Sequence, residues 1–204
     1  MPSVANPHRP VRDACGPGGG HSFGVAEHLA LTVVPDAAID PTLREAARAL
    51  CLEAFGGEFS ADDWDHSCGG VRVVLTEGSE LVAHVAVVDR RLDVGGRVLD
   101  AGYVEAVAVA PDRRRQGMGR QVMELAASHV RAVSELGVLS TSRQSFYEPL
   151  GWERWLGPSF VRGSGRLVRT ADEDAGLMAL RFGPSAGLDL SSSITCESRI
   201  GDDW

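Results

Sequence analysis

Residues 102–130 read GYVEAVAVAPDRRRQGMGRQVMELAASHV, and their order decides the fold. A strand-like apolar run (103–109) meets the turn signal Ala110-Pro111-Asp112. Three arginines follow (Arg113, Arg114, Arg115), then Gly117 and Gly119, then a helical pattern with Val122, Leu125, Ala126, Val130 and Val133 on one face. Strand, glycine-rich turn and helix in that order build an anion site. The glycines let backbone N–H groups approach a negative group, and the helix start adds the positive end of its dipole. Arg114, Arg115 and Arg120 would set positive charge beside the amides of Gln116, Gly117, Met118, Gly119 and Arg120. A merely solvated basic helix start has the same composition. The flanking strand and the long amphipathic helix favour the anion cradle.

Upstream, residues 29–34 read as a short strand, and Asp40-Pro41 as a helix start with Asp as N-cap and Pro in the first turn. Leu43, Ala46, Ala47, Leu50 and Ala54 keep helical spacing until Gly56-Gly57 stops it. Three strand candidates at 71–76, 81–89 and 98–109 are punctuated by Gly78-Ser79 and Gly95-Gly96, the order of an antiparallel meander. Downstream, the helix is expected over 117–136 with Gly137 as its stop, followed by a strand at 138–140 and a short helix at 142–150. From Trp152 the chain reads as irregular apart from a strand at 178–182, and 191–204 as a polar, acidic end. A meander followed by βαβ implies an α+β fold, a mixed central sheet flanked by helices. Residues 1–27 are rich in Pro, Gly and His, too polar to offset ordering entropy, and are expected to form a disordered extension before one domain over 28–204.

Composition narrows the chemistry. With 20 Lys+Arg against 28 Asp+Glu the formal net charge is −8, which argues against nucleic acid or an anionic membrane and suits a cationic substrate. Every basic residue is Arg. That removes the Walker lysine, the Schiff-base lysine and the kinase lysine together. Cys15, Cys51, Cys68 and Cys196 form no C-x-x-C pair and read as ordinary reduced cysteines. His66 and His84 have no second ligand at helical or hairpin spacing, so no metal site is expected. No apolar run approaches the ~18–20 residues of a membrane span, and the N-terminus lacks the apolar core of a signal peptide. The expectation is a cytoplasmic protein.

The spacing Arg114-x-x-Gly117-x-Gly119 resembles the acyl-CoA pyrophosphate loop of the GCN5-related N-acetyltransferases. Ser145-Phe146-Tyr147-Glu148-Pro149-Leu150-Gly151-Trp152 resembles that superfamily's second signature, at about the family's distance. The resemblance implies the GCN5-related N-acetyltransferase fold, acetyl-CoA as co-substrate and no metal. It implies Tyr147 as the acid that protonates the departing thiolate, a task suited to a phenol that stays protonated at neutral pH; a core aromatic is the blander account. It also runs the thioester past the backbone of Ala106, Val107 and Ala108, where one N–H could polarise the carbonyl. Glu105 interrupts the apolar strand, so its carboxylate either faces solvent or stands in a cleft. In a cleft it could take the proton of an attacking amine.

Gly56-Gly57-Glu58-Phe59 with Asp63-Trp64, Glu105 within GYVE-x-VAV, and the closing Gly201-Asp202-Asp203-Trp204 are similar to the aminoglycoside 2′-N-acetyltransferase family over residues 29–204. That likeness implies a polycationic aminoglycoside acceptor held by Glu58 (where the family carries Asp), Glu105, Glu173, Asp174, Asp202 and Trp204 with its carboxylate. A homodimer is part of the same implication. Asp62, Asp65 and Asp203 read as solvated surface charge, and Trp64 as a packing residue. Three other readings stay open: the same fold as an N- or O-acetyltransferase of another amino sugar or small amine, a basic peptide or protein acceptor, and a non-catalytic acetyl-CoA-binding module.

Overall fold

Residues 28–204 are described by a computed structural model; the expected extension over 1–27, with Cys15, lies outside the described residues. In chain order the elements are β1 (Leu29–Pro35), α1 (Pro41–Phe55), α2 (Ala61–His66), β2 (Val71–Glu77), β3 (Glu80–Val94), β4 (Arg97–Val109) and α3 (Met118–Val133). There follow β5 (Leu136–Ser140), α4 (Gln144–Tyr147), β6 (Glu153–Arg154), β7 (Ser159–Gly163), β8 (Arg166–Arg169), β9 (Leu177–Arg181) and β10 (Ile194–Glu197).

The meander forms as read: β1 to β4 pair antiparallel in sequence order, and the fold is α+β. Asp40 caps α1 by accepting from the N–H of Thr42 and Leu43, and Gly56 ends it in the left-handed conformation (φ 64°). Helix α1 packs on one face of β3 and β4 with Ala47, Leu50 and Cys51; α3 packs on the other with Val122, Met123, Ala126 and Val130, all fully buried. Each such Val or Met stabilises the fold by about 1.5–3 kcal/mol relative to exposure.

Two features of the sheet position the site. Strand β5 runs parallel to β4 but pairs with it only at Ala101, Gly102 and Tyr103, so the two strands part beyond that point. Where they part, β4 carries a bulge. Ala86 pairs with Glu105 and His84 with Ala108, so β4 has one residue more than β3 over the same span. Ala106 within the bulge adopts φ 52°, a left-handed conformation uncommon for a residue with a side chain.

Three expectations are corrected. Helix α3 ends at Val133, and Gly137 lies inside β5 instead of stopping the helix. Glycine is needed there because a Cβ would come within 2.9 Å of Leu180 Cβ and 3.2 Å of both Trp152 and Val130. The stretch after Trp152 is not irregular: β6, β7, β8 and β10 extend the sheet, β10 lying parallel to β7 and antiparallel to the end of β3. These strands are two to five residues long, and β8 is exposed throughout, so neither length nor alternation marks them. The short helix at 142–150 contracts to α4 and a 3₁₀ turn.

Candidate active site

The glycine loop builds the predicted anion cradle from backbone. Gly117 precedes α3 at φ 85° and offers no side-chain acceptor to the first turn. The first amide bonded within α3 is that of Gln121, to Gly117 O at 3.1 Å, so those of Met118, Gly119 and Arg120 precede the ladder and carry the positive end of the dipole. Gly119 sits close to its neighbours: a Cβ there would lie 3.3 Å from Phe146 Cζ and Val109 Cγ2. The arginines are less uniform than their run of three implied. Arg113 pairs with Glu77 and Asp112. Arg114 donates to the carbonyls of Ala54 and Val109, tying the loop to α1. Arg120 pairs with Glu124 one turn on. Arg115, at φ 63°, has no ion pair among the described residues. Met118 turns into the core, and Gln116 donates to Asp112 O within its own loop.

From this cradle a cavity of about 730 Å³ runs through the gap between β4 and β5. Its walls include Glu105, Ala106, Val107, Arg114, Arg115, Gly117, Gly119, Arg120 and Tyr147, so both predicted catalytic side chains share it. Ala108 does not; it is buried against α1 and α2 on the opposite face. Glu58, Asp63, Asp202 and Trp204 line the same cavity.

Glu105 stands in the cavity as an ion pair. Arg199 Nη1 donates to Glu105 Oε1 at 2.8 Å, with both side chains 17% exposed. Burial pushes the Glu105 carboxyl up from its ordinary value; the charge and hydrogen bond of Arg199, with Arg90 and His66 behind them, oppose that rise without cancelling it. Tyr147 is buried beside Phe146 and Trp152. Burial pushes its phenol up to about 12, against the opposing hydrogen bond of Thr141 and charge of Arg143.

The acids expected to hold the acceptor divide. Glu58 is exposed at the rim, and Asp202 faces the cavity from the chain's last segment. Glu173 does not line the cavity but lies close behind: burial raises its carboxyl, and the charges of Asp202, Asp172 and Asp203 raise it further. Asp174 is placed elsewhere. It accepts from both ends of the Arg169 guanidinium and from Ser159 N–H and Oγ, which hold its carboxyl down to about 2. Its lone pairs are taken by structure, so the expected substrate role does not fit. Asp203, read as surface charge, instead accepts from the Arg199 N–H. Trp204 is 4% exposed, and its indole N–H donates to Thr170 Oγ1 at 3.0 Å.

Sequence reasoning passed over Arg199, Arg90 and Thr141. Arg199 also donates to Asp202 O at 2.7 Å, Arg90 donates to Asp203 O at 2.8 Å, and His66 bonds Ile200 O at 2.7 Å. These contacts fold residues 199–204 across the sheet, a long-range event that no local pattern announces.

An open strand pair beside a bulge, a helix-start anion cradle and a tyrosine across the gap define an acetyltransferase of the GCN5-related type. The acetyltransferase (GNAT) domain family matches residues 41–155, and the chain belongs to it. Within that superfamily it belongs to the aminoglycoside 2′-N-acetyltransferase family. It is 42% identical over 170 residues, 81% of this chain and 87% of its relative, to the aminoglycoside 2′-N-acetyltransferase of Mycolicibacterium fortuitum. Two solved structures share the fold. The acetyltransferase YhbS of Escherichia coli, in complex with CoA, is 17% identical, covers 89% of this chain and 98% of its own, and has a TM-score of 0.61. A GNAT acetyltransferase of Brucella melitensis, in complex with acetyl-CoA, is 17% identical over 78% of this chain and 91% of its own, with a TM-score of 0.56. Among the described residues no helix is long and apolar enough to cross a membrane.

Proposed function

We propose that the chain transfers the acetyl group of acetyl-CoA to the 2′-amine of aminoglycosides, by direct attack within a ternary complex. The observation that carries this reading is one cavity lined at once by the α3 start, by Glu105 and Tyr147, and by the acids Glu58, Asp63 and Asp202. An anionic donor suits the cradle and a polycation the acids. The residues fit acetyl-CoA. The unbonded amides at 118–120 with Arg115 would hold its pyrophosphate, and β4 beyond Tyr103, released from β5, would face its extended arm. When bound it supplies an activated thioester.

The chain's own groups then move protons. Glu105, its carboxyl raised by burial, accepts the proton that the acceptor ammonium gives up, directly or through water. Tyr147 stays protonated at neutral pH and delivers a proton toward the departing sulfur. The Thr141 hydrogen bond and the Arg143 charge favour the phenolate left behind. A cysteine-bound acetyl is not needed. Burial raises the thiols of Cys51 and Cys196 to about 12 and 11, and neither lines the cavity.

The test is acetyl-CoA-dependent thiol release with gentamicin and tobramycin, which bear a 2′-amine, against kanamycin A and amikacin, which bear a 2′-hydroxyl. Release confined mainly to the first pair is expected. Equal release from both pairs, or none from either, would send the search to other amines.

A further inference from the structure

The bulge that sets Glu105 needs a partner for the carbonyl it turns out of the strand ladder, and a buried histidine supplies one. His84, on β3 and fully buried, places Nδ1 at 3.0 Å from Ala106 O. Its other nitrogen, Nε2, lies 3.0 Å from Arg72 Nη1. A guanidinium only donates, so Nε2 must carry the lone pair and the proton must sit on Nδ1, where it is donated to Ala106.

Arg72 is fixed in turn. It is fully buried on β2, stacks on Trp64 with its guanidinium carbon 4.3 Å from the ring centre, and donates Nε to Asp36 Oδ1 at 2.5 Å. Asp36 also accepts from Gly69 N–H at 2.9 Å and from Arg44 at 3.0 Å. Burial opposes the Asp36 charge, yet the hydrogen bonds from Gly69 and Arg72 and the two guanidinium charges lower its carboxyl overall. None of Asp36, Arg72 or His84 lines the cavity. A chain of three buried side chains therefore ends on the one strand residue held at positive φ among the described residues, next to Glu105.

We propose that His84 is a positioning residue for the transfer: locked in one tautomer by Arg72, it clamps the Ala106 carbonyl and so sets the bulge that aims Glu105 and its neighbouring backbone into the cavity. The surroundings keep the ring in the form the clamp needs, because burial and the Arg72 charge hold its pKa down to about 4. Left-handed backbone at a non-glycine residue costs about 1–2 kcal/mol and persists only where its neighbours impose it. The His84 bond is the shorter of two contacts on that carbonyl; the Cys51 thiol lies 3.8 Å from the same oxygen.

The proposal rests on the acetyltransferase assignment and not on the aminoglycoside acceptor. Its first test needs no acceptor: long-range ¹H–¹⁵N correlation on the histidine-labelled wild-type chain, with His84 assigned through its loss in His84→Asn. The expected result is a protonated Nδ1 and an unprotonated Nε2 from pH 8 to pH 5.5; a proton on Nε2 overturns the clamp. The second test compares His84→Leu, which removes the donor, with His84→Asn, whose amide can still donate near the Nδ1 position, using acetyl-CoA and tobramycin. A misplacement of order 1 Å at reacting groups costs roughly 10²-fold, so kcat of His84→Leu should fall by about tenfold or more. The two KM values should stay within about threefold, because the α3 cradle and the acidic rim are untouched, and His84→Asn should recover most of kcat. A folded His84→Leu with wild-type kcat, or an asparagine variant no better than the leucine one at matched Tm, overturns the proposal. If the leucine variant does not fold, the tautomer and the asparagine variant decide alone, and loss of kcat in a folded His84→Asn with the expected tautomer counts against the clamp. A wild-type chain inactive on tobramycin refutes the acceptor reading alone.

Discussion

The two ends of the cavity are built from different material. The proposed donor end is mostly backbone: the N–H groups at the start of α3, a glycine at φ 85°, and a strand whose ladder bonds to β5 stop at Tyr103. The proposed acceptor end is side chains, and they come from three distant stretches: Glu58 with Asp63, Glu105, and the closing segment with Asp202 and Trp204, whose Arg199 pairs with Glu105. A site made of backbone is specified by a short run of residues, since each amide's direction follows from local φ and ψ. A site made of side chains is specified only when remote segments dock. The donor end should therefore be sensitive to glycine, and the acceptor end to charge.

Substitutions between the two ends, at the chemistry, should act most strongly. Tyr147→Phe and Glu105→Gln are each expected to lower kcat by about 10²-fold with acetyl-CoA KM little changed, since each removes one proton-transfer group. Steady-state kinetics on both substrates checks this, and full activity in both variants would break the assignment of roles.

At the donor end, Gly117→Val puts a β-branched side chain at a left-handed position. A penalty of about 1–2 kcal/mol, roughly tenfold, is expected in acetyl-CoA KM with aminoglycoside KM unaffected. Calorimetric titration of acetyl-CoA into both forms measures it directly. An equal rise in both KM values would mean that the two ends are not separable.

Arg199→Gln probes the electrostatics of the acceptor end. Arg199 holds down a carboxyl that burial pushes up, so its loss raises Glu105 further. A base is active when deprotonated; the acidic limb of kcat/KM should therefore move to higher pH in the variant. Arg90 and His66 also act on Glu105 and remain, and Tyr103 below it stays neutral, its phenol raised by burial and by the Glu105 charge. A pH profile that does not move would mean that Glu105 is not the titrating base.

The smallest effects belong to the rim and the scaffold. Glu58→Gln removes an exposed charge, and an exposed pair contributes about 0.2–1 kcal/mol, so aminoglycoside KM should rise by no more than about fivefold. Asp174→Asn should leave both KM values alone and lower Tm in a pH-dependent way. The Asp174 carboxyl is held at about 2, below its ordinary 3.8, so its contribution is present above pH 4 and is lost as pH falls through 2. The Tm gap between wild type and variant should close over that window. A selective rise in aminoglycoside KM would return Asp174 to the acceptor site.

How much could be read beforehand follows the same division. The strand–loop–helix segment was legible because it is a local pattern, and the placement of Tyr147 and Glu105 in one cavity agrees with the expectation for them. Arg199 was not, since an arginine in a polar tail has no signal until that tail lies over Tyr103 and Glu105. Asp174 was misread for the converse reason: its acidic loop looks like a ligand loop until Arg169 and Ser159 occupy it. For His84 the sequence excluded only a metal site, because neither Arg72 nor Ala106 is its neighbour in sequence.

By itself the sequence determined what depends on short-range sterics and periodicity: the meander, the capped α1, the glycine loop before an amphipathic α3, and an acidic chain without lysine. The tertiary structure decided the rest. It parted β4 from β5, placed a bulge at Ala106, turned residues 153–197 into four further sheet strands and β9, and chose which carboxylates face the cavity and which are bound by arginine. The reason is one of range. Backbone conformation responds to immediate neighbours, whereas the partner and protonation of a buried charge depend on groups up to a hundred residues away in the chain, brought into one low-dielectric space by folding.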